Sequence, residues 1–246
     1  MGPRNLRLEL EYDGTRYHGW QRQKNALTLQ GTIEEALLRL TGERVHLIGS
    51  GRTDAGVHAL RQVANFHSSS SLPLKAFVHG LNALLPPDIA VLTAAEAPLE
   101  FHARKAARSK TYEYHILNRP VRSPLGLRYA WHLTAPLNPE ALEEAARMLV
   151  GEHDFAAFQA SGSAVRTTRR RVEEACWRRE GDMFLFRITA TGFLRGMVRS
   201  LVGTMVQIGL KKRPVSDLAE LLARPDRTRV GPTAPPQGLF LVSVRY

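Results

Sequence analysis

With 246 residues, 43 % of them hydrophobic, the chain is long enough for two ordinary domains or one large one around a sizeable core. Lys and Arg outnumber Asp and Glu by 34 to 23, a formal charge of +11, so the surface attracts polyanions and nucleic acid is the expected partner. The single cysteine, Cys176, excludes an internal disulfide, no Cys/His cluster has zinc-ligand spacing, and no apolar run approaches membrane-spanning length.

The start, "MGPRNLRLELEYDG", has charges where a signal peptide needs an apolar run, so a cytoplasmic protein with no membrane association is expected. Leu6, Leu8, Leu10 and Tyr12 then alternate with charged residues, the signature of a strand with one buried face. Ile33, Ala36, Leu37 and Leu40 fall at helical spacing over 32–40, and Gly42 supplies the stop. "RVHLIGS" and "QVANFHS" read as strands on either side of a glycine-rich loop. A helix over 74–85 ends at Pro86 and Pro87, and "DIAVLTAAEA" reads as a further strand. The run Ser68–Ser71 is read as a plain turn.

The second half begins with the strand "KTYEYHIL". Asn138 as N-cap, Pro139 at the first position and Gly151 as stop then frame a helix whose core face is Leu142, Ala145, Ala146 and Leu149. "RRVEEACWRRE" and "DMFLFRITA" meet at Gly181 as a hairpin, 193–210 reads as a long helix, and "GLFLVSVRY" closes the chain as a strand. Interleaved strands, helices and hairpins predict an α+β fold: two similar halves, 1–105 and 106–246, with a largely antiparallel mixed sheet flanked by helices.

The loop "GSGRTDAGVHA", Gly49–Ala59, is built around a carboxylate, Asp54. A phosphate cradle fits poorly, because Walker spacing is absent and a central carboxylate repels an anion. A magnesium site needs further converging carboxylates, and the loop has no second acid. A lone catalytic carboxylate, its anion favoured by a nearby arginine, can act as nucleophile or base. Against it stands a capping turn with Arg52 in a surface ion pair.

Together with "YDGTRYHGWQRQ", "GLNALLPPDIAV", "FHARKAARSKTYEY", "HDFAAF", "GFLRGMVRSLVG" and "TAPPQGLFLVSVRY", the motif "GRTDAGVHA" resembles the bacterial transfer-RNA pseudouridine synthase A family nearly end to end. The resemblance implies that Asp54 is the catalytic nucleophile or base and that Arg199 pairs with it. It implies that Tyr112 stacks against the target uracil and that Arg52 and His58 handle substrate. It implies no cofactor and no metal, a transfer RNA bound by its anticodon arm around positions 38 to 40, and a homodimer with a deep basic cleft. Arg195, four residues before Arg199, falls at the spacing of one helix face. Arg166, Arg169, Arg170, Arg171, Arg178 and Arg179, around the hairpin, are with Arg195 the candidate contacts to RNA phosphates. A non-catalytic RNA-binding protein would explain the charge equally well but not Asp54. A metal-dependent nuclease would instead shorten its RNA and fail with a chelator.

Overall fold

In the computed structural model, which describes residues 2–162 and 165–246, the alternation near the N-terminus forms β1 (Arg4–Tyr12), with Leu6, Leu8 and Leu10 wholly buried. Helix α1 (Leu29–Thr41) begins three residues before the predicted start, because the Thr28 hydroxyl accepts from Gly31 N and caps it there. Of "RVHLIGS" only Ile48–Gly49 is a strand, β2. The Leu47 N–H donates to the Glu34 carboxylate at 3.0 Å instead of to a ladder, which ends the pairing early. Strand β3 (His58–Ser68) is correspondingly longer than predicted and pairs antiparallel with both β1 and β2. Helix α2 (Leu74–Leu84) stops just before its prolines, and β4 (Ile89–Ala97) pairs antiparallel with the other edge of β1. Phe66 of β3 and Phe77 of α2, both wholly buried with ring centroids 6.0 Å apart, join sheet to helix. Each such burial contributes about 1.5–3 kcal/mol.

Farther along, β5 (Ser109–Asn118) pairs in parallel with β6 (Trp131–Leu133). Asn138 and Pro139 start α3 (Pro139–Arg147) as predicted, the Asn138 Oδ1 accepting from Ala141 N at 2.9 Å. Leu142, Ala145, Ala146 and Leu149 are all wholly buried. Strand β7 (Gly151–Asp154) pairs with β8 (Arg169–Glu180), which forms the predicted hairpin with β9 (Met183–Ala190), and β9 pairs antiparallel with β5. Helix α4 (Met197–Gly209) is shorter than predicted, since Gly196 takes a left-handed φ of 72° and cuts Phe193 and Arg195 off from it. Helix α5 (Ser216–Ala223) follows. Tyr114 of β5 is wholly buried and its hydroxyl donates to the Pro235 carbonyl at 2.7 Å. Burial pushes that phenol well above its ordinary pKa.

The last strand, β10 (Leu239–Arg245), pairs in parallel with β3, Phe240 opposite His58 and Leu241 opposite Ala59. Two compact units result: Met1–Arg108 with Phe240–Tyr246, and Ser109–Leu239. Apart from the β3–β10 and β5–β6 ladders, the pairing within each unit is antiparallel, which is the α+β class expected. Among the described residues no helix is long and apolar enough to cross a membrane.

Candidate active site

Asp54 is half-buried on the loop between β2 and β3. A four-residue turn follows it, the Val57 N–H donating to the Asp54 carbonyl at 3.1 Å, with Gly56 at φ 76° in its third position. The backbone on either side is pinned by the segment after β1. Trp20 N donates to the Thr53 carbonyl at 3.0 Å, and Gly56 N donates to the Tyr17 carbonyl at 3.3 Å. Gly14 lies so close beneath Val57 that a side chain there would overlap the Val57 carbonyl. The carboxylate is therefore carried by a backbone fixed before and after it, as preorganised chemistry requires.

A buried polar network supports the loop from inside. The Gln62 amide nitrogen donates to the Gly51 carbonyl at 2.9 Å and to the Tyr12 hydroxyl at 3.4 Å, and its oxygen accepts from the Ser50 hydroxyl at 2.6 Å. Tyr12 and Thr53 share a hydroxyl hydrogen bond of 2.9 Å, and burial pushes the Tyr12 phenol up to about 12. Gln62→Leu keeps the volume but leaves the Ser50 hydroxyl and the Gly51 carbonyl without these partners. It is expected to lower stability by about 2–4 kcal/mol, read as an earlier urea midpoint. An unchanged midpoint would mean that the loop does not depend on the network.

His58 is 1 % exposed. Its ring stacks on Phe240 at 4.8 Å, and its Nδ1 lies 3.1 Å from both Gly14 N and Asp13 Oδ1. The side chain thus stands under the loop, away from solvent. Arg52 is exposed and, among the described residues, makes no ion pair. Tyr112 of β5 is 7 % exposed and meets Phe193 edge-on, with centroids 4.9 Å apart. Arg199 of α4 is half-buried and clamped to the segment before β10: its Nε donates to the Ala234 carbonyl at 2.7 Å, and Ala234 N donates to the Arg199 carbonyl at 3.0 Å. Arg195 is exposed but lies outside the helix beyond Gly196, so the shared helix face with Arg199 does not form.

The hairpin arginines divide by environment. Arg169 pairs with Glu152 at 3.1 Å, and Arg178 reaches Glu113 and Glu180 at 3.7 and 3.5 Å. Arg179 lies over the Phe184 ring at 5.4 Å. Arg170 donates to the Thr167 and Arg169 carbonyls, and its partial burial lowers its pKa. Arg166 and Arg171 are exposed with no ion pair among the described residues. Glu113, held by His115, Arg178 and Arg187, has its carboxyl pKa lowered, first by the His115 hydrogen bond. Gln62, Tyr12 and Gly14 were missed as supports of the loop. A polar side chain on the buried face of a strand, as Gln62 is, was the available signal.

The family model for tRNA pseudouridine synthase matches residues 10–104 and 145–246. A tRNA pseudouridine synthase A of Pelobacter propionicus is 51 % identical over 243 residues, covering 99 % of this chain and 100 % of that one. One of Thermoanaerobacter sp. is 46 % identical at the same coverage. One of Myxococcus xanthus is 49 % identical over 242 residues, 98 % of this chain and 91 % of that one.

Proposed function

This chain belongs to the tRNA pseudouridine synthase family, and from that premise we propose that it isomerises uridine to pseudouridine in the anticodon arm of transfer RNA, around positions 38, 39 and 40, through Asp54. The observation that carries the reading is a half-buried carboxylate on a loop whose backbone is fixed on both sides. The reaction breaks the C1′–N1 bond, turns the uracil and joins C1′ to C5, whose proton leaves while one returns to N1. Atoms and electrons balance without redox change, so no cofactor is called for.

The Asp54 carboxylate can attack C6, attack C1′ or take the C2′ proton, and each route uses its anion. Arg199 opposes that negative charge, and Tyr112 meets the flipped uracil, a stacked base being worth about 1–3 kcal/mol. Extruding the uridine costs a few kcal/mol, which the exposed Arg52 on the loop helps to offset through the RNA backbone. His58 serves by supporting the loop. Arg166, Arg171 and Arg195 are the freest of the candidate phosphate contacts. The active form is a homodimer that works in the cytoplasm, where transfer RNA is.

The test is to incubate unmodified transfer RNA with the protein and no added metal, then map carbodiimide-dependent stops in primer extension. New stops in the anticodon arm on full-length RNA are expected. Stops elsewhere would refute the anticodon assignment, and shortened RNA would point to a nuclease.

A further inference from the structure

Beside α1, two adjoining hollows of about 500 and 780 Å³ open to solvent between the segment after Trp20 and the chain that leaves the helix. Arg22, Lys24, Arg39 and Arg44 line them and are all exposed. Among the described residues Lys24, Arg39 and Arg44 make no ion pair. Arg22 does, lying 3.2 Å from Glu34, yet it stays 66 % exposed. Glu34, 8 % exposed, accepts from Gln30 and from Leu47 N as well as from Arg22, and His46 of the same lining lies 3.6 Å from it. The other acid of the lining is Glu35. Unpaired cations along an open, half-apolar trough suit an extended polyanion, whereas a small-molecule site encloses most of its ligand's surface.

Arg44 lies five residues before Gly49, where the Asp54 loop begins, so the two are at most about 18 Å apart even if the chain between them is fully extended. A few nucleotides of RNA backbone span that distance. We propose that this trough holds the sugar–phosphate backbone of the substrate RNA beside the target uridine, each free cation meeting a phosphate. The proposal rests on the reading that the substrate is an RNA whose uridine meets Asp54, and it adds where the flanking strand lies.

The test compares Arg39→Ala/Arg44→Ala with wild type and with Arg147→Ala/Arg224→Ala, which removes the same charge from exposed positions elsewhere. Dissociation constants for an unmodified transfer-RNA transcript are measured by filter binding across a salt series, alongside single-turnover rates at saturating protein. The trough variant is expected to bind about tenfold more weakly at 0.15 M salt. Its plot of log K against log salt should be shallower by about 1.5 to 2, one increment per lost phosphate contact. Its saturated rate should match wild type, and Arg39→Lys/Arg44→Lys should restore binding. Unchanged affinity and slope with an active wild type overturn the trough alone. Equal weakening in the control overturns it in favour of net charge, and a wild type that binds no transfer RNA overturns the functional reading together with it.

Discussion

Asp54→Asn is expected to remove turnover by about 10⁴-fold or more, the scale on which loss of a reacting group is felt, while transfer-RNA affinity stays within about threefold of wild type. The loop is held by its backbone, through Trp20, Tyr17 and the turn to Val57, so an isosteric amide leaves its shape intact. Losing a negative charge beside a polyanion does not weaken binding. Primer-extension mapping gives the first quantity and filter binding the second. More than about 1 % residual rate would deny Asp54 the reacting role, and a parallel fall in affinity would make it a structural residue.

Gly14→Ala is expected to be the most damaging single methyl group in the first unit. Its Cβ would overlap the Val57 carbonyl oxygen, with the carbonyl carbon 2.7 Å away, and both belong to backbone that cannot turn aside as a side chain does. The same substitution strains the approach of Gly14 N to the His58 ring. A cost of about 3 kcal/mol or more follows, lowering the melting temperature by roughly 6–12 °C for a chain of this size. Activity should fall further than stability alone explains, because the displaced atoms carry the Asp54 turn. Gly2→Ala, with open space around it, is the control. A Gly14→Ala protein that melts and turns over like wild type would show that the brace is dispensable.

Period-two alternation in β1 and β5, the Asn138–Pro139 start of α3 and the Gly181 hairpin were legible because each is specified by residues next to one another. Strands of three or four residues, β6 and β7, hold too little periodicity to be seen, and of the strand predicted over "RVHLIGS" only the two residues of β2 pair. The predicted start of α4 at residue 193 falls four residues early, because a left-handed Gly196 looks, in sequence, like any glycine within an apolar run. At the site, the sequence shows a loop centred on a carboxylate, and the reacting role proposed for Asp54 comes from the family resemblance. The roles of Gln62, Gly14 and the buried His58 were not legible, since each depends on a partner dozens of residues away or on the fit of one backbone against another.

The parallel pairing of Phe240 and Leu241 with His58 and Ala59 sets a timetable for biosynthesis. Residues 1–108 leave the ribosome first, yet the ring that stacks under His58 arrives only after everything from Ser109 to Leu239 has been made. A nascent chain can form β1, β3 and their helices early, but the base of the Asp54 loop stays open until the final strand docks. The setting of Asp54 is thereby completed only once Phe240 and Leu241 have been made.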